Sequence, residues 1–171
     1  MKILTISESL NKAYRRCPIN KDDMIKFQSA LRIFYNSVSN KGIETSKETY
    51  LRDFLKGTFY SNNDINKLSD NNVDWAVRLE GQNRPVGIII EDKRQENKRE
   101  MITTDDLNRK AMQQLVYYYL IEKEQKKNID VRHLIANNMY EFFIFDATSF
   151  ECTAEPTLLC PWRSWKTPIS S

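Results

Sequence analysis

Three side chains in the middle of the chain, Asp74, Glu91 and Lys93, have the types and spacing that metal-assisted phosphate chemistry requires. A divalent ion that hydrolyses a phosphodiester is held by carboxylates, lowers the pKa of its bound water and offsets charge on the phosphate. Magnesium prefers hard oxygen ligands, few from protein and the rest from water or phosphate. A lysine beside the carboxylates orients the attacking water or balances the developing charge. On a strand, residues i and i+2 point to one face. Glu91 and Lys93 therefore share a face, and Asp92 points opposite with Ile88 and Ile90. Asp74 reaches the same spot if its segment pairs with theirs.

Two strands must do that positioning. Residues 73–79, VDWAVRL, alternate, with Val73, Trp75, Val77 and Leu79 on one face and Asp74 and Arg78 on the other. EGQNRP (80–85) predicts a turn, so VGIIIEDKR (86–94) returns as the second strand of a hairpin. That strand is apolar on both faces until Glu91, the pattern of a central, buried strand.

Further elements flank the hairpin. Residues 20–38 predict a helix, since Met24, Phe27, Leu31, Phe34 and Val38 make one apolar stripe. Asn20 is its expected cap, and Asp22 and Asp23 favour the first turn. A second helix is expected over 46–56, with Gly57 at its C-cap. The stretch SNNDINKLSDNN (61–72) reads as a loop. Downstream, a long helix is expected over 104–126, capped by Thr103 or Thr104, with Asp105 and Asp106 in its first turn. Two short strands follow, in HLIANN and YEFFIFD. This order predicts an α/β fold with a mixed central β-sheet flanked by helices.

Composition narrows the alternatives. With 171 residues, 40% apolar and 29% charged, the chain suits one ordinary globular domain, expected over 1–151. Residues 152–171 hold two of three Cys, three of five Pro and two of three Trp, and read as an irregular tail. Cys17, Cys152 and Cys160 form no CxxC pair and His133 is the lone histidine, which argues against zinc. The opening MKILTISESL lacks the apolar core of a signal peptide, and no apolar run is long enough for a membrane span. A cytoplasmic protein is therefore expected. The net charge of +3 neither requires nor excludes a nucleic-acid partner. The run KRQENKR (93–99), however, leaves the Glu-x-Lys strand carrying Arg94, Lys98 and Arg99 where phosphates would pass, and Lys110 is similar.

An Asp ahead of a hairpin, then an apolar strand ending in Glu-x-Lys, resembles the PD-(D/E)XK nuclease superfamily; here the signature is Asp74 followed by IIIEDK (88–93). The surroundings LNKAYRR (10–16), YLRDFLKGTFY (50–60), LNRKAMQQLVYYYL (107–120) and HLIANNMYEFFIFDA (133–147) look like the N-terminal nuclease domain of type IIG restriction–modification enzymes. In those enzymes the nuclease precedes an adenine-specific DNA methyltransferase. The resemblance covers roughly residues 10–151. It implies a restriction-endonuclease-like core, double-stranded DNA as substrate and Mg2+ as cofactor. Asp74 and Glu91 would be the metal ligands, and Lys93 would complete the catalytic set.

Two more positions follow from the resemblance. Many members carry a glutamate on the helix before the hairpin, and Glu48 is the nearest candidate, although Thr45-x-x-Glu48 also reads as a capping box. Some branches carry Gln and, four residues later, Tyr on the helix after the lysine strand, a spacing that Gln114 and Tyr118 match. Gln114 interrupts an apolar face and so needs a polar partner. There are departures as well. Val73 stands where the motif has proline, and neither an Asn-Pro-Pro-Tyr motif nor a glycine-rich cofactor loop is present. A truncated module is thus expected, with a separate methyltransferase or specificity subunit as partner. Cutting both strands adds the expectation of a homodimer. The alternative is a catalytically incomplete DNA-binding or interaction remnant.

Overall fold

The run Val86–Asp92 is apolar up to Glu91, and a strand apolar on both sides belongs in the middle of a sheet. The computed structural model describes residues 4–39, 47–68, 73–80 and 84–150, except for the side chains of 47, 48 and 73. In it this segment, β3, is the middle strand of five. The sheet order is β1-β2-β3-β4-β5, with β1 at Ile65–Leu68, β2 at Val73–Arg78, β4 at His133–Asn137 and β5 at Phe142–Asp146. Neighbouring strands run antiparallel except β3 and β4, which are parallel. The fold is α/β with a mixed sheet.

β1 corrects one expectation, because it lies inside the stretch read as a loop. It is an edge strand in which only Ile65 and Leu68 face inward, while Asn66 and Lys67 meet solvent. Two inward residues suffice for such a strand, so its polar composition imitates a turn.

A parallel pair needs a crossover long enough to return the chain to the same end of the sheet. The crossover here contains helix α4, Lys110–Leu120. Its Ala111, Met112, Leu115 and Val116 recur at helical spacing and bury against Ala76, Ile89, Leu134 and Ala136 of the sheet. α4 begins well after the expected start at 104. The Thr103 hydroxyl accepts from Asp106 N at 3.1 Å, and Asp106 Oδ1 accepts from Asn108 N at 3.1 Å. Such side-chain bonds to the backbone compete with the helical ladder and delay it. At its other end α4 passes into a π-helical turn, Ile121–Gln125, and Lys127 follows with φ of 55°. Glu122 in that turn is buried and bonded to Asn128 and Lys126.

The chain divides into two compact units, Met1–Asn63 and Asp64–Ser171; the sheet belongs to the second. The first contains α1 (Ile6–Ser9), α2 (Lys21–Ser39) and α3 (Lys47–Gly57). On α2 the predicted stripe buries Phe34 and Val38, and Phe27 and Phe34 meet Phe54 of α3 at ring distances of 6.0 and 5.1 Å. Asn20 Oδ1 accepts from Asp22 N at 3.0 Å, at the expected helix start. The 152–171 tail, Thr45 and turn residues 81–83 lie outside the described residues. Among those described, no helix is long and apolar enough to cross a membrane.

Candidate active site

Asp74 and Glu91 face one another across the hairpin. The register pairs Trp75 with Ile90 and Ala76 with Ile89, and one step further along the ladder aligns Asp74 with Glu91. Alternation puts both on the face of Ala76 and Ile89, beneath α4. Asp74 Oδ2 accepts from the backbone N–H of Asp92 at 2.9 Å, which draws the Asp74 carboxylate onto β3. Glu91 is 1% exposed. Its Oε1 accepts from Lys93, while Oε2 is buried and receives no hydrogen bond among the described residues.

That environment favours a proton on Glu91. Burial first, then the Asp74 charge, raise the Glu91 carboxyl from its ordinary 4.5 to about 7, against the pull of Lys93. A hydrogen bond from protonated Glu91 to Asp74 adds to the rise. Near neutral pH the Glu91 carboxyl is thus poised between its neutral and charged forms.

Lys93 lies one residue beyond the end of β3, where its backbone N–H donates to Asn137 O at 2.8 Å and extends the parallel pairing with β4. The fully buried Asn137 fixes this end further, with Nδ2 donating to Glu91 O at 3.4 Å and Oδ1 accepting from Met139 N at 3.2 Å. The Lys93 ammonium is buried among three oxygens: Gln114 Oε1 at 2.6 Å, Glu91 Oε1 at 2.7 Å and Glu100 Oε2 at 3.5 Å. Gln114 comes from α4, and its Nε2 donates to the Tyr118 hydroxyl at 3.3 Å. The polar interruption in the apolar stripe of α4 is thereby satisfied.

A basic groove of about 640 Å3 opens beside the start of α4, lined by Lys98, Arg99, Arg109 and Lys110 with Asp106 and Gln113 among the polar residues. Arg94 is exposed and does not line it. Arg109, which sequence reasoning missed, is tied to Lys98 O at 2.6 Å, Met101 O at 3.1 Å and Asp106 at 2.9 Å. It therefore knots the loop to the helix start. Glu100 was missed too, and it bridges Lys93 to Lys110, whose Nζ lies 3.0 Å from Glu100 Oε1. Glu48 stands on α3 in the other compact unit, and its side chain is outside those described.

The structure therefore brings together Asp74, Glu91, Lys93 and Gln114. No group of three or more His, Cys, Asp or Glu side chains able to hold a metal occurs among the described residues. Magnesium does not need one, because one or two carboxylates suffice when water and phosphate complete its shell. The all-oxygen donor pair of Asp74 and Glu91, brought together from two strands, fits such an ion.

Fold and site define an α/β protein with a paired-carboxylate and buried-lysine cluster at the C-terminal end of its central strand. The chain belongs to the family described as a domain of unknown function, DUF7149, whose model matches residues 4–168. Searches of curated proteins and of solved structures found no match.

Proposed function

We propose that this chain is a magnesium-dependent nuclease that hydrolyses phosphodiester bonds of double-stranded DNA. The observation that carries the reading is the convergence of Asp74 and Glu91 from two strands beside a buried Lys93 held at 2.7 and 2.6 Å by Glu91 and Gln114. Its resemblance to PD-(D/E)XK nucleases adds support.

Asp74 and Glu91 hold the cation, which when bound activates water and offsets phosphate charge. Glu91 gives up its proton to do so. Lys93 orients the attacking water or balances charge on the phosphate as the phosphorus–ester oxygen bond breaks. Gln114 fixes the Lys93 ammonium, and Tyr118 fixes Gln114. Lys98, Arg99 and Lys110 line the groove along which the DNA backbone runs. The work would be done in the cytoplasm, with a second copy of the chain cutting the opposite strand. A separate methyltransferase or specificity subunit would supply sequence recognition.

Supercoiled plasmid incubated with Mg2+ tests this. Wild type is expected to nick it, and chelator, Lys93→Ala and Asp74→Asn are each expected to reduce nicking at least a hundredfold, roughly the contribution of a general acid–base or charge-stabilising group. Wild-type protein that shifts plasmid on a gel without nicking it would sink the nuclease reading in favour of a DNA-binding remnant.

A further inference from the structure

An ammonium has three N–H donors; Lys93 gives two of them to Glu91 and Gln114 at 2.7 and 2.6 Å, and the Glu100 carboxylate faces it as a looser ion pair at 3.5 Å. A substrate anion that is to meet Lys93 must take the place of one of these three oxygens. Glu91 and Gln114 are the close partners, and the Glu91 side chain is almost wholly buried. Glu100 is the distant one, at 3.5 Å, with its side chain 30% exposed. Its backbone is pinned, since Ala111 N donates to Glu100 O at 3.0 Å and Glu100 N donates to Asn97 O at 3.2 Å. Only the side chain has to swing.

The other end of Glu100 matters as much. One carboxylate oxygen faces Lys93 and the other faces Lys110, a lining residue of the basic groove. The Lys110 hydrogen bond is the foremost influence holding the Glu100 carboxyl below its ordinary range, so Glu100 is anionic at neutral pH. A phosphodiester likewise presents two anionic oxygens on one centre. We propose that Glu100 is a phosphate surrogate: its carboxylate occupies, between Lys93 and Lys110, the seat that a DNA phosphate takes when substrate enters. Until then it shields the two lysines from other anions. This inference rests on the nuclease reading above.

The test is the affinity of a fluorescein-labelled DNA duplex, measured without divalent metal so that nothing is cut. Removing the competing charge with Glu100→Gln is expected to tighten binding about tenfold, as removal of a like charge beside a phosphate should. The slope of affinity against salt should steepen by roughly 0.9 for each additional phosphate that the protein neutralises. In a Lys110→Ala background the Glu100→Gln gain should vanish. Asp105→Asn, which removes an exposed acid from the same loop, should change affinity less than about twofold, as an acid touching neither lysine. With Mg2+, KM for plasmid nicking should fall in Glu100→Gln by a factor like that in affinity. Glu100→Gln affinity equal to or weaker than wild type, or a gain that survives Lys110→Ala, overturns the surrogate role while wild-type nicking leaves the nuclease reading standing. If neither wild type nor Glu100→Gln binds or nicks DNA, both readings fall together.

Discussion

Glu91 holds its proton at a cost that depends on pH. Its carboxyl titrates near 7 in the folded chain, against an ordinary 4.5, so the folded state binds more protons between those values. By linkage, stability then falls as pH rises. The advantage of the neutral form is complete below about 4.5 and is lost as pH passes through about 7. A shift of this size corresponds to a difference on the order of 3 kcal/mol in a side chain this buried. Glu91→Gln keeps the shape and removes the titration, so its urea midpoint is expected to decline less than that of wild type between mildly acidic and mildly basic pH. Parallel declines would mean that Glu91 does not carry the proton.

The elements around the site are held by polar ties as well as by core packing. Asn128 Nδ2 donates both to Val86 O, at the start of β3, at 2.9 Å and to Glu122 Oε2, in the π-helical turn after α4, at 3.0 Å. Asn128→Ala leaves a buried carbonyl and a buried carboxylate short of a donor, and should destabilise by roughly 2–4 kcal/mol, read as a shift in the urea midpoint. The hairpin of β2 and β3 was legible in the sequence because alternation and a doubly apolar strand are local patterns. Gln114 was singled out by the resemblance, through its spacing to Tyr118, and its break in an apolar stripe agreed with that choice. The start of α4 was not legible, since Thr103 and Asp106 form turn bonds that composition does not distinguish from a helix cap. Nor was β1, whose solvent-facing Asn66 and Lys67 look like loop residues. Glu100 and Asn137 stayed hidden for another reason. Glu100 acts on Lys93 and Lys110, and Asn137 on the Glu91 carbonyl, through contacts that exist only once the crossover has closed.

Across the whole molecule the charge is nearly balanced, at +3, yet the groove gathers Lys98, Arg99, Arg109 and Lys110 against Asp106. Such local concentration, rather than net charge, attracts a phosphate backbone. Replacing Lys98, Arg99 and Lys110 by alanine should flatten the slope of log affinity against log salt by about 0.9 for each phosphate left without its cation. An unchanged slope would mean that DNA runs elsewhere. The parallel pairing of β3 with β4 has a further consequence, in the order of folding. β2 and β3 are neighbours along the chain and can pair early, whereas Ile88 meets His133 only after the intervening crossover has been ordered. The acid pair therefore belongs to a local hairpin, while the Gln114 grip on Lys93 and the Asn137 grip on Glu91 arrive with the distant pairing. The acid pair thus depends on contacts local in sequence, whereas the buried lysine that balances it depends on contacts made by the crossover helix and the distant strand.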